Sequence, residues 1–440
     1  MKHACLISLG CAKNLVDSEA MVKRLVDMGY HLTQEPSEAD LIVINTCGFL
    51  ESAVQEAIET ILEAAGRKVS GKCSLLVVAG CMVQRYGKKL LQELPEVDIF
   101  LGTSHYHALE TAVASRLGGN PRRLWIGRPT GFVDPAAGRV ISTGHFSAYL
   151  KIAEGCDNSC SFCIIPHLRG PLRSGGEADI LAEAKRLGTL GIREINLIAQ
   201  DTTAFGLDRG DTEALPELLE KLDEVPGLTW IRLLYSYPER ISDRLLRVMA
   251  HSQKIVPYLD IPIQHCVPQV LEAMGRPARS PEPIIEKIRS ILPEVSLRTS
   301  IMVGFPGETR AQFRALLAFM ERVRFDHAGV FAFSPEAGTR AARFRRSPGA
   351  RAAEGRRAAL LELQREISGQ KLEKLVGRTL PVLVEGPHPE SDLLLSGRLP
   401  TQAPEVDGCV IITAGDCRAG EIRPVNITAS HDYDVEGTIV

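Results

Sequence analysis

The chain has no apolar run near 18 residues, and its longest strand-like stretches, LIVINTC and LLVVAGC, are short. No membrane-spanning helix is therefore expected. The first residues, MKHACLISLGC, lack the basic start, longer apolar core and cleavage site of a signal peptide. They read instead as a strand, and the expected location is the cytoplasm. Charge of one sign is also scarce: 51 basic and 54 acidic residues leave a net charge of -3. That excludes bulk, nonspecific attraction to nucleic acid. Cysteine is what the chain does have, with eleven residues, and in a reducing compartment these are not a disulfide framework.

A length of 440 residues implies two to four domains. Residues 1–123 repeat one pattern: ACLISLGC, LIVINTC and LLVVAGC are apolar strands that each end in cysteine. Helix-like stretches, Asp17–Met28 and Ser52–Ala65, follow two of them. Such alternation predicts a parallel sheet covered on both faces, with Cys11, Cys47 and Cys81 at the ligand-bearing carboxyl edge. The linker GRPTGFVDPAAGR comes next. Residues 142–366 then hold six strand–helix units, too few for a closed eight-unit barrel and suited to a partial one, followed by an Arg-rich stretch and a linker helix read as solvated. Residues 371–440 carry short β-like runs between Gly, Pro and Asp, the pattern of a small β-barrel. Here six basic side chains against eleven acidic ones give -5. That charge suits a basic partner better than a phosphate backbone.

EGCDNSCSFCIIPHLRG places Cys156, Cys160 and Cys163 within eight residues. A C-x3-C-x2-C loop can wrap one four-iron, four-sulfur cube and leave one iron open. Zinc, with His167 as a fourth ligand, is the alternative, although paired CxxC spacing is its usual pattern. Phe162, between the last two thiols, either shields the cluster or simply packs.

The loop resembles that of the radical S-adenosylmethionine enzymes, and it sits after the first strand of a partial barrel as theirs does. SLGCAKNLVDSE, INTCGF and AGCMVQRY resemble the three cysteine motifs of the methylthiotransferases, and the resemblance covers the whole chain, including a C-terminal β-domain of the TRAM type. It implies two [4Fe-4S] clusters. One, at Cys156, Cys160 and Cys163, binds S-adenosylmethionine and generates a 5'-deoxyadenosyl radical. The other, at Cys11, Cys47 and Cys81, presents the sulfur to be inserted. A radical is the suitable reagent because no side chain deprotonates an unactivated C–H bond near neutral pH.

Further cofactor contacts follow from the same resemblance. Glu177 in GPLRSGGE is expected to clamp the methionine amino group, although Gly175 stands where the family typically has a second arginine; a capping role for Ser174 is the local alternative. Gln200 in LIAQDTT ends a strand facing the site. Arg298 in SLRTSIMVGF is expected at the cofactor carboxylate, and Gly304 lies in the turn VGFPGET, which is neither a GxGxxG nor a Walker loop. His265 either lines the pocket or is structural. Cys5, Cys73, Cys266, Cys409 and Cys417 match no pattern and are read as core or incidental.

The family divides mainly into enzymes that modify an adenosine in transfer RNA and enzymes that modify an aspartate β-carbon in protein twelve of the small ribosomal subunit. SLGCAKNLVDSE and WIRLLYSYPE resemble the second group; the first tends toward GCQMNxxDSE and a segment ending in SHP. The acidic C-terminal domain agrees, since ribosomal proteins are basic. The expected partners are that ribosomal protein, free or in the subunit, a flavodoxin- or ferredoxin-like electron donor and a sulfur source, with no membrane. A tRNA methylthiotransferase and a non-catalytic iron–sulfur RNA-binding or assembly protein are the alternatives.

Overall fold

The computed structural model describes residues 1–130, 138–144, 146–345 and 348–440. The middle of the expected linker, 131–137, lies outside the described residues.

The N-terminal sheet has six parallel strands: β1 (His3–Ser8), β2 (His31–Leu32), β3 (Leu41–Thr46), β4 (Leu75–Gly80), β5 (Ile99–Leu101) and β6 (Leu124–Trp125), in the order β2-β1-β3-β4-β5-β6. Helices α1 (Ala12–Asp27), α2 (Glu51–Ser70), α3 (Cys81–Tyr86), α4 (Leu90–Glu93) and α5 (Leu109–Leu117) accompany it. A separate apolar cluster forms on each face, so β3 and β4 are buried throughout and can be apolar at nearly every position. The register sets Ser8 beside Asn45 and Asn45 beside Ala79. Cys11, Cys47 and Cys81 follow those residues within three positions, at one edge of the sheet. Helix α1 starts at Ala12, earlier than Asp17. Its buried face includes Asn14, Asp17, Ser18 and Glu19, and these polar residues hide the apolar period.

The central sheet is also parallel: β7 (Ser147–Lys151), β10 (Glu194–Ile198), β11 (Trp230–Leu233), β12 (Ile255–Asp260), β13 (Ser296–Val303) and β14 (His327–Ala332) lie in sequence order. A ribbon of β8 (Ala153–Glu154) and β9 (Arg173–Ser174) branches from it. Helices α6 (Ile165–Arg169), α7 (Glu177–Thr189), α8 (Ala214–Asp223), α9 (Asp243–His251), α10 (Pro268–Ala273), α11 (Glu282–Ile291) and α12 (Arg310–Val323) fill the connections. Alternation along each strand divides the chemistry. Leu197, Leu259, Leu297 and Ile301 join the large core with the helices. Their neighbours Lys151, Glu194, Arg232, Asp260 and Arg298 face the inside, where ion pairs or hydrogen bonds engage each of them.

Helix α13 (Ala350–Glu373) is not a solvated linker. It buries Ala353, Leu360, Gln364 and Ile367, and Gln364 donates to the carbonyls of Phe325 and Asp326 at the lead-in to β14. That covers an otherwise open sheet edge. Residues 346–347 of the Arg-rich stretch lie outside the described residues.

The C-terminal strands β15 (Thr379–His388), β16 (Ser391–Arg398), β17 (Val410–Ala414), β18 (Ile422–Ser430) and β19 (Val435–Ile439) close into a barrel filled by Val382, Val384, Val410, Ile412, Val425 and Ile427. It seals one side of the central lumen. Buried Glu194 joins Arg232 at 2.8 Å to the barrel residue Arg398, and Tyr258 Oη donates to Asp407 at 2.7 Å. Among the described residues, no helix is long and apolar enough to cross a membrane.

Candidate active site between two cysteine trios

The loop carrying Cys156, Cys160 and Cys163 leaves the ribbon at Gly155, whose φ is +81°. A Cβ there would lie 2.0 Å from the carbonyl oxygen of Pro171, so only glycine lets the two backbones close on each other. Ser161 ties the loop to α10: its N–H donates to Met274 at 2.7 Å and its hydroxyl to Ala273 at 2.8 Å. Asn158 donates to Asp201 at 2.8 Å, and Asp201 is itself paired with Arg240. All three thiols are half-buried. Burial pushes Cys163 up to about 12 and Cys156 up to about 11 as free thiols, while the N–H groups of Ile165 and Asn158 pull the other way. His167 is exposed on α6. Among the described residues no three His, Cys, Asp or Glu side chains are already set for a metal ion, the two thiol trios included. Phe162 packs with Val270, Leu271, Met274 and Phe305, which is the packing role.

The second trio is assembled from far apart. A Cβ on Gly48 would sit 2.7 Å from the carbonyl carbon of Cys81, and one on Gly10 would sit 3.5 Å from Cys47 Sγ. The absence of side chains at these two glycines lets the three cysteines converge. Arg169, at the end of the radical loop's own helix, reaches this group from the central domain. Burial pushes Cys81 up to about 12 against the pull of the Arg169 guanidinium. Cys11 is exposed at the surface; the desolvation that would raise it is outweighed by Lys13 and Arg169, and the thiol falls below its ordinary value. Arg169 is buried, and so are its partners: Asp17 at 2.6 Å, Asn14 at 2.6 Å and Glu154 at 3.3 Å. Lys151 bridges to Glu154 at 2.8 Å. Burial opposes the Glu154 charge, but Lys151 and Arg169 bring it down to about 2. With Arg85–Glu336 at 3.0 Å, this network clamps the N-terminal domain over the mouth of the partial barrel. Cysteine spacing does not encode Arg169, Lys151 or Glu154. The only signal was that Glu154 and Arg169 flank the three-cysteine stretch and Asp17 lies in SLGCAKNLVDSE.

Gln200 stands where expected, after β10. Its Nε2 donates to Glu154 at 2.6 Å and its Oε1 is buried without a partner. Ser236 Oγ, Glu239 Oε2 and Asp260 Oδ1, on the segments ending β11 and β12, are likewise buried and unpartnered. Such atoms suit a polar ligand held at the strand ends.

Other expectations need correction. Arg298 enters only two residues into β13, and its guanidinium is taken by Asp407 and the carbonyl of Val406. It therefore fastens the C-terminal barrel and does not meet a cofactor carboxylate. Glu177 opens α7 in the helical layer, ion-paired to Lys221 of α8 at 2.5 Å, and both side chains are exposed. It is not placed as an amino clamp. The residue before α7 is Gly176, not Ser174, and the Ser174 hydroxyl instead bonds Asp208 at 2.6 Å. Gly304 does end β13, but its N–H is bound within the turn by Glu308 and it packs against Ala353 of α13. His265 is fully buried: its Nδ1 accepts from the Val267 N–H at 3.0 Å, and its Nε2 faces Glu308 at 3.7 Å without a hydrogen-bond partner. Cys5, Cys73 and Cys266 are buried and Cys409 and Cys417 half-buried.

A six-stranded partial barrel with a three-cysteine loop at its mouth defines a radical S-adenosylmethionine enzyme. The Radical SAM superfamily pattern matches residues 150–320, the TRAM domain 376–440 and the Uncharacterized protein family UPF0004 residues 3–102. The radical S-adenosylmethionine methyltransferase TsrM from Kitasatospora setae shares the fold, with a TM-score of 0.56 at 14% identity over 87% of this chain and 78% of that one. Another structure of the same protein, with TM-score 0.56 and 15% identity over 90% and 81% of the two chains, contains a [4Fe-4S] cluster. The ribosomal protein uS12 methylthiotransferase RimO of Syntrophobacter fumaroxidans is 60% identical over 100% of this chain and 99% of the relative. The protein of the same name from Syntrophotalea carbinolica is 47% identical over 100% and 97%. The chain belongs to the family of ribosomal protein uS12 methylthiotransferases, whose cofactors are S-adenosylmethionine and [4Fe-4S] clusters.

Proposed function

We propose that the chain inserts a methylthio group at the β-carbon of an aspartate in ribosomal protein uS12. The observation that carries this reading is the likeness over its full length to proteins of that name, on a chain whose two thiol-bearing domains are joined through Arg169. It works as three units, 1–123, 142–366 and 371–440. Each trio is a donor set of soft thiols with hydrogen-bond donors beside it and no carboxylate ligand, which fits a [4Fe-4S] cluster. Cys156, Cys160 and Cys163 hold one and Cys11, Cys47 and Cys81 the other; the unpartnered Gln200, Ser236 and Asp260 atoms fit S-adenosylmethionine. When bound, these groups supply hydrogen-atom abstraction, the sulfur and the methyl group.

The chain's own residues do the positioning. The Gly155 and Ser161 anchors fix the local trio, while Lys13 and Arg169 favour the thiolate of Cys11 in the assembled one. The C-terminal barrel seals the lumen and keeps water from it. The enzyme works in the cytoplasm, with a flavodoxin- or ferredoxin-like donor for electrons and a separate source of replacement sulfur. The full chain, reconstituted anaerobically with iron and sulfide, tests the reading when offered small ribosomal subunits and unmodified tRNA together. Mass spectrometry should find one methylthio increment on an aspartate of uS12. An increment on adenosine would overturn the substrate, and 5'-deoxyadenosine with neither product would leave the radical class without this target.

A further inference from the structure

Lys13 lies two residues beyond Cys11, on the first turn of α1, and reaches across the domain boundary to Tyr235. Its Nζ is 3.3 Å from the centroid of the Tyr235 ring. Among the described residues no carboxylate forms an ion pair with it; the groups its charge feels are Tyr235 and the Cys11 thiol, and more weakly Asp260. The ring face offsets part of the cost of holding an ammonium there, but it leaves donors that a carboxylate would satisfy far better.

Tyr235 is held for this contact. Its φ is +60°, in the left-handed region that is strained for a non-glycine residue. Three bonds impose it: its N–H donates to Asp260 at 3.1 Å, and its carbonyl accepts from the Thr202 N–H at 3.0 Å and the Thr202 hydroxyl at 3.2 Å. Around the pair, Leu15 and Val16 of α1 pack with Tyr149, Ile198, Trp230 and Leu234 of the central domain. The cation is thus fixed from both domains, beside Cys11, where a substrate carbon has to meet the assembled trio.

We infer that Lys13, steadied by the Tyr235 ring, receives the side-chain carboxylate of the substrate aspartate and is the residue that makes the site select a carboxylate over an uncharged group. An aspartate gripped through its carboxylate presents its β-carbon one bond away, whereas a nucleobase has no anion to offer this ammonium.

The inference rests on the proposed uS12 reading, and its test separates the two. Binding of a labelled synthetic peptide spanning the modified aspartate of uS12 is measured by fluorescence anisotropy with the anaerobically reconstituted full chain, alongside the same peptide with asparagine there. The wild-type chain should bind the aspartate peptide about tenfold or more tightly. Lys13→Gln should bring the two peptides within about twofold of each other, and Lys13→Arg, which keeps the cation, should restore the preference. A general loss of structure would weaken both peptides alike and leave their ratio unchanged. Equal binding by the wild type, or a preference that survives Lys13→Gln, would overturn the inference even while the wild-type chain still modifies uS12 in small subunits. Absence of that modification would remove the function and the inference together.

Discussion

The two thiol trios lie on domains joined through Arg169, but they depend on different parts of the molecule. Cys156, Cys160 and Cys163 come from one loop of eight residues, so their mutual geometry is secured by a few anchors close in sequence. Cys11, Cys47 and Cys81 are 36 and 34 residues apart, and they meet only because β1, β3 and β4 keep their register and α1 starts directly after Cys11. The local trio can therefore form with its loop, while the assembled trio needs a folded sheet, close backbone approach at Gly48 and a guanidinium borrowed from the next domain.

The strongest way to break the comparison is to remove one thiol from each side. Cys160→Ala should eliminate about half of the bound iron and all production of 5'-deoxyadenosine. Cys81→Ala should eliminate the other half and leave 5'-deoxyadenosine formation in place; iron content and product chromatography check both. Next in size, Arg169→Met should leave the buried Asp17 and Glu154 sharing the single cation Lys151, one charge uncompensated, at a cost of about 3–5 kcal/mol in chemical denaturation. Its iron loss should fall mainly on the assembled trio. Gly48→Ala is sharper still, because its added methyl meets the Met82 nitrogen at 2.6 Å and the Cys81 carbonyl carbon at 2.7 Å. It should lower iron at that trio alone, with a smaller change in unfolding temperature.

A pH titration supplies a control outside both trios. Burial disfavours the Glu194 charge, but Arg398 and Arg232 prevail and lower its pKa from the ordinary 4.5 to about 2. Because the folded value is depressed, its stabilisation is complete above about pH 4.5 and is lost as pH falls toward 2. It is of order 3 kcal/mol. Glu194→Gln should flatten this acid dependence without selective loss from either trio. The smallest effect belongs to Cys417→Ser, a half-buried thiol of the C-terminal barrel, which should leave iron content and turnover as they are.

The same contrast explains what could be read from the sequence. The local trio, the six-unit barrel and the C-terminal barrel are written in spacing and hydrophobic period. The assembled trio was visible only as three strand ends, and the resemblance alone joined them. Side chains that cross between domains leave no periodic trace, so Arg169 went unread and Arg298 was assigned to a cofactor when Asp407 claims it. Glu177 misled for a related reason: a motif places a residue along the chain, but it does not say which way the following helix turns its first side chain. The net charge of the C-terminal domain also overstates its acidic surface, since Asp407 is buried against Arg298, His327 and Tyr258.

The most direct measurement is a single anaerobic reaction of the Cys11→Ala chain with S-adenosylmethionine, reductant and small ribosomal subunits, counting 5'-deoxyadenosine and methylthiolated uS12 together. Division of labour between the trios predicts 5'-deoxyadenosine with no methylthiolated uS12. Methylthiolated uS12 from that variant, or a complete loss of 5'-deoxyadenosine, would contradict it.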